Sequence, residues 1–130
     1  MLDIKTKFFK LSEFDCPLEG EGSGSRKMNL GFILLLDKAR LLAGVPFRIT
    51  SGYRSKKYNQ SLINRGFKAS KNSSHLKGLA ADIKTENSNN RYLIVASLLQ
   101  VGINRIGIGK TFVHCDIDES KIDEVMWDYY

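Results

Sequence analysis

"SSHLKGLAADI", residues 73–83, is the stretch on which the reading of this chain turns. It holds His75, one of only two histidines among 130 residues, and Asp82 follows it seven positions later. Gly78, Ala80 and Ala81 lie between them. "GLAADIKT" (78–85) is short, small and apolar, which suits a buried strand. The polar "FKASKNSSH" (67–75) before it reads as loop. The stretch is a polar turn running into a strand, half of a metal site, or both. A loop histidine and a strand-borne aspartate converge if the chain between them turns back closely, and Gly78 makes that turn easy. The spacing is not HExxH, which sets two ligands on one helix face.

The partner block is "FVHCDID", 112–118. Residues two apart share a strand face, so His114 and Asp116 point one way. Val113, Cys115 and Ile117 then point to the core. Zinc binds imidazole nitrogen and carboxylate oxygen, and a catalytic zinc keeps three protein ligands and a fourth position for water. His75, Asp82 and His114 are the candidate ligands. Asp116 can orient His114 or accept a proton from metal-bound water. The plainer alternative is two ordinary polar histidines, since HxD pairs arise by chance. Against it, these are the chain's only histidines, and both adjoin strand-like segments with carboxylates at usable spacing.

The surrounding chain alternates helix and strand signals. "FFKLSEFDC" is amphipathic and ends at Pro17. "EGEGSGSRK" (19–27) predicts a flexible surface loop. "NLGFILLLDKARLLAG" predicts a buried helix over 29–43, with Asn29 as N-cap and Gly44 as C-terminal cap. "PFRITSGYRS" predicts a strand over 47–50 turning at Gly52, and "SKKYNQSLINRG" a helix stopped by Gly66. "NNRYLIVASLLQVG" predicts an amphipathic helix stopped by Gly102. "NRIGIGKTFVHCDID" predicts two strands joined at Gly109-Lys110. The tail "KIDEVMWDYY" is expected to pack Trp127 and Tyr129 on the sheet. This order predicts one α+β domain over residues 1–130, a small, mainly antiparallel sheet flanked by helices.

Composition excludes several classes. At 42% hydrophobic and 26% charged the chain is ordinary for a globular protein. Its longest apolar stretch, "LGFILLLDKARLLAGV", is broken by Asp37, Lys38 and Arg40, so no membrane insertion is expected. The N-terminus shows no basic region followed by an apolar run and a cleavage site. Synthesis in the cytoplasm without a signal peptide is expected. Cys16 and Cys115 are far apart with no CxxC spacing, so free thiols are expected and a cysteine zinc ribbon is excluded. The net charge of +6 suits a soluble basic surface or attraction to a polyanion.

"SGYRS" (51–55), "SSHLKGLAADI" and "FVHCDID" together resemble the three signature blocks of the zinc D-alanyl-D-alanine carboxypeptidase family, which includes VanY-like enzymes and phage L-alanyl-D-glutamate endolysins. Its pattern S-x-H-x-x-G-x-A-x-D is met at Ser73, His75, Gly78, Ala80 and Asp82. "KLSEFDCP" and the helix before "RITSGYR" are similar to small phage-encoded members. The resemblance covers about residues 8 to 116. It implies a hedgehog-type, D-Ala-D-Ala peptidase-like fold, with His75, Asp82 and His114 holding Zn2+. Arg54 matches the family arginine of the substrate site, where a guanidinium can grip a carboxylate and stabilise an oxyanion. Ser73 would steady the loop or bind substrate backbone. Two positions depart from the pattern. Thr111 stands where many members place the carboxylate base, which leaves Asp116 as the candidate. Asp118 replaces the arginine of HxDxR and makes the local charge more acidic.

The resemblance implies hydrolysis of a peptide bond in peptidoglycan stem peptides by a monomeric phage or prophage wall hydrolase. Such a protein acts after release from the cell or as part of a virion. The missing carboxylate at Thr111 supports an alternative, a catalytically weak zinc module that binds wall peptide or protein. A metal-free nucleic-acid binder, suggested by charge alone, leaves the central block unexplained and shows no known motif.

Overall fold

The computed structural model describes residues 6–130. Residues 1–5, part of the stretch read above for a leader segment, lie outside the described residues. The helices start where side chains can cap them. α1 spans Ser23–Lys27, α2 Leu30–Ala43, α3 Lys56–Asn64 and α4 Ser88–Gln100. Asn29, Ser55 and Asn87 accept hydrogen bonds from the N–H groups of Phe32, Tyr58 and Asn90 at the starts of α2, α3 and α4. Each cap satisfies a donor that the first helical turn leaves without a partner. Gly44 ends α2 in the left-handed region at φ 70°.

Five strands, β1 (Ile49–Ser51), β2 (Ala80–Lys84), β3 (Arg105–Ile108), β4 (Phe112–Asp116) and β5 (Val125–Asp128), form one sheet. Its order is β1-β2-β4-β3-β5. Every neighbour pair is antiparallel except β3 with β5, which is parallel. The architecture is the mainly antiparallel α+β sheet that the sequence predicts.

Strand alternation divides the sheet into two chemical faces. Ala81, Ile83, Ile106, Val113 and Cys115 point to one face and are fully buried. They join Phe32, Ile33 and Leu36 of α2 and Ile94 and Leu98 of α4 in the core. Each large side chain buried there contributes about 1.5–3 kcal/mol. The same register sends Asp82, His114 and Asp116 to the opposite face. Cys16 and Cys115 are both free and buried, and no described helix is long and apolar enough to cross a membrane.

Two expectations change. Residues 19–27 are not simply flexible loop. They contain α1, and the Asp15 carboxylate accepts from the N–H groups of Gly22 and Gly24 at 3.2 and 2.7 Å. A Cβ on Gly24 would lie 2.7 Å from backbone atoms of Leu11 and Phe14, so this glycine serves close packing rather than freedom. The tail does more than pack on the sheet. It adds β5 alongside β3, beyond the hairpin that the pattern predicts.

Gly78 ends the 3-10 turn Ser74–Lys77 that presents His75, at φ 70°. A Cβ there would sit 2.0 Å from the Lys27 carbonyl oxygen, and the Gly78 carbonyl accepts from the Asn29 N–H at 2.9 Å. The loop bearing the histidine is thus clamped to the start of α2. Gly78→Ala is expected to cost about 2–4 kcal/mol, from left-handed φ and overpacking together. Gly44→Ala has the same φ but nothing within 4 Å, and should cost about 1–2 kcal/mol. Urea unfolding of both variants checks the difference; equal midpoints would remove the clamp from the account.

Candidate metal centre

The register of the sheet assembles the site. Ser51 pairs with Asp82, Asp82 with His114, His114 with Gly107, and Gly107 with Trp127. These residues form one row across five strands. His75 reaches the row from the 3-10 turn. Its Nε2 lies 3.2 Å from Asp82 Oδ1, and His114 Nδ1 lies 2.9 Å from the same oxygen. One ligand atom from each of the three residues lies within 4.8 Å of the others, and all three residues are buried.

The outer nitrogen of each ring is pinned from behind. His75 Nδ1 lies 2.7 Å from the Gly52 carbonyl oxygen. A carbonyl only accepts, so Nδ1 holds the proton and a neutral His75 presents its lone pair at Nε2. His114 Nε2 lies 2.7 Å from Asp116 Oδ2, which leaves Nδ1 facing Asp82. Both inward nitrogens and Asp82 Oδ1 are therefore donors to a common point. Metal-binding histidines are oriented in this way, by a carbonyl or carboxylate on the far nitrogen. The residues present fit a divalent metal of the zinc type.

Arg54 holds the third ligand. Its NH2 donates to Asp82 Oδ2 at 3.2 Å, its Nε to Ser51 Oγ at 2.9 Å and its NH1 to Asn59 Oδ1 at 3.4 Å. The guanidinium occupies the outer carboxylate oxygen and turns Oδ1 inward. "SGYRS" therefore supplies three parts at once: the row residue Ser51, the carbonyl of Gly52 and the brace Arg54.

Protonation follows from these contacts. Burial lowers the pKa of His75 below the ordinary histidine value, against the pull of Asp82, so the ring is neutral. Burial opposes charge on Asp82 as well, but His75 and His114 outweigh it and hold its carboxyl well below the usual carboxylate range. At His114 burial is again outweighed, here by the bonds to Asp116 and Asp82, and the pKa is raised.

The cluster opens into a cavity of about 620 Å³. Arg54, Lys68, Arg105, Lys110 and Lys121 line it, against two carboxylates, Asp82 and Asp116. Trp127, Tyr129 and Phe67 add aromatic surface. A family model described as peptidase M15 matches residues 7–116.

The chain belongs to the peptidase M15 family.

A comparison with curated proteins finds no match. Within the M15 frame, Asp116 lies directly behind the His114 ring. It is 1% exposed, and both of its oxygens are engaged. Oδ2 receives His114, while Oδ1 receives Arg105 Nε at 2.7 Å and the Asp118 N–H at 3.1 Å. It sits at the outer edge of the imidazole, where it orients the His114 ring. The Ser73 hydroxyl accepts from the His75 N–H at 3.2 Å and lines the cavity, so it steadies the loop. Thr111 lines the cavity without a carboxylate.

Asp118 does not make the cavity more acidic. It is buried outside the lining, where its carboxylate takes Ser74 Oγ at 2.8 Å and Lys77 Nζ at 3.2 Å. It anchors the turn that holds His75. Sequence reasoning missed Arg105 and the Gly52 carbonyl, and it set Trp127 and Tyr129 on the sheet without bringing them to the cavity wall.

Two measurements test this geometry. Asp116→Asn should weaken zinc binding by about 10–100-fold, because the His114 ring loses its anchor; unchanged zinc affinity with lost turnover would select Asp116 as the base. Metal must also displace the proton from His114. Because that pKa lies above 6.5, protons compete from neutral pH downward, and affinity should fall by up to about tenfold per pH unit below it. Competition titrations with a chromogenic chelator at about pH 8 and about pH 6 read this out, and a flat profile contradicts it.

Proposed function

We propose that this M15 family member is a zinc-dependent peptidase acting on stem peptides of bacterial peptidoglycan, of the D-Ala-D-Ala carboxypeptidase or L-Ala-D-Glu endopeptidase type. The observation that carries this reading is the inward set of His75 Nε2, Asp82 Oδ1 and His114 Nδ1, each braced from behind. Two imidazoles and one carboxylate suit a hydrolytic zinc, which retains a position for water. When bound, zinc acidifies water and polarises a carbonyl.

The chain's own residues supply the rest. Arg54 uses three of its five N–H groups in the site. The remaining donors can grip a substrate carboxylate or carbonyl at the cavity wall. Ser73 keeps its hydroxyl hydrogen for substrate backbone. The cationic lining favours a peptide with free carboxylates, as stem peptides have. In the phage or prophage setting that the resemblance implies, the partner is the wall rather than nucleic acid, and the protein works as a monomer.

A second reading has one observation in its favour. Among the described lining residues, Asp82 and Asp116 are the only carboxylates, and both are tied up. That suits a zinc-containing module that binds wall peptide or protein with little turnover.

Purified protein with zinc is expected to release amino groups from peptidoglycan. Chelator, or His114→Ala, should reduce release by more than about tenfold through loss of the metal. Equal release in all three conditions overturns the peptidase reading. Zinc binding and stem-peptide binding without release select the binding module. Mass analysis of the fragments identifies the bond.

A further inference from the structure

Residues 117–130 lie beyond the stretch that the family model matches. They nevertheless build one side of the cavity. Trp127 pairs across Gly107 with the row that holds His114 and Asp82, and Tyr129, two residues on, points the same way. Both line the cavity around the ligand cluster.

Gly107 makes that placement possible. A Cβ there would lie 2.8 Å from Cε2 and Nε1 of Trp127 and 2.8 Å from Cε2 of Tyr129. Without it, the two rings fold inward over β3. Trp127 reaches the His114 ring, with centroids 5.6 Å apart. The Arg105 guanidinium lies over the Trp127 ring at 5.2 Å while bonding Asp116. Tyr129 packs on Phe112 at 5.2 Å, and Lys68, another lining residue, donates to the Tyr129 carbonyl. Burial pushes the Tyr129 phenol up to about 12, so its hydroxyl stays protonated and can donate.

We infer that Trp127 and Tyr129 form a peptide-binding wall beside the ligand cluster, with Tyr129 contacting the substrate and Trp127 fixing Tyr129 and the His114 ring. Aromatic faces accept flat amide planes at little entropic cost, and the phenol adds one directional hydrogen bond. The identity of the peptide rests on the peptidase reading. The wall itself is testable without turnover.

The test uses the zinc-loaded full chain and two hydroxamates, acetohydroxamate and alanyl-alanine hydroxamate. Both chelate zinc by the same group, and only the second extends a peptide along the wall. Trp127 is the chain's only tryptophan, so its emission reports the contact directly. The dipeptidyl probe should shift that emission. Tyr129→Ala should weaken the dipeptidyl probe by about tenfold and acetohydroxamate by less than about twofold. In hydrolysis the same variant should raise KM with kcat retained. Met126→Ala, on the same strand but outside the cavity, should change neither affinity. Should Tyr129→Ala fail to fold, Tyr129→Leu is measured in its place. An unchanged ratio of the two affinities, with zinc still bound, overturns the wall. Wild type that shows the expected ratio yet neither binds nor cuts a stem peptide defeats the substrate reading and leaves the wall standing.

Discussion

Two hydrogen bonds on the outer sides of two imidazole rings govern the rest of this structure. Gly52 takes the proton of His75 Nδ1, and Asp116 faces His114 Nε2. Free imidazoles would rotate and exchange tautomers, and three ligands would rarely meet. Pinned from behind, both rings turn their inner nitrogen towards Asp82 Oδ1. Arg54 does the same for the carboxylate by occupying its other oxygen. Pre-organisation of this kind lowers the entropic cost of binding a metal, because the ligands are already placed.

The sheet makes such precision possible. One face is apolar and packed on α2 and α4. The other carries the ligand row, fixed by hydrogen-bond register rather than by side-chain preference. A slip of one residue in β4 would send His114 into the core and Cys115 into the cavity. Burial against the helices forbids that slip, so core packing and ligand placement are one constraint seen from two sides. Two glycines extend it. Gly78 clamps the His75 turn against Lys27, and Gly107 gives Trp127 room to lie against His114.

Charge is arranged in two layers. Buried carboxylates are each matched: Asp82 by His114 and Arg54, Asp116 by His114 and Arg105, Asp118 by Lys77 and Lys121. An unpaired buried carboxylate would be costly, and here each pair also orients a ligand or the turn that bears one. Outside this layer, among the described residues, Lys110 has no ion pair and lines the cavity. Asp118, which stands where the family pattern has an arginine, belongs to the inner layer, and its carboxylate fixes the turn that bears His75.

Much of this was legible in one dimension. Asn29 and Gly44 mark a helix because capping chemistry is local, and "GLAADIKT" and "FVHCDID" show strands because alternation is local. The candidate trio stood out because the chain has only two histidines and because the spacing resembles a known pattern. The braces were not legible. Gly52 acts through its carbonyl, which every residue has, and Arg105 meets Asp116 only because β3 and β4 pair in one register. The tail gave weak signals, since a short exposed strand has little hydrophobic periodicity, and only its parallel pairing with β3 brings Trp127 to His114. Local pattern therefore determined which residues are candidate ligands. Long-range register decided which nitrogens they present, what holds them, and which side chains wall the cavity.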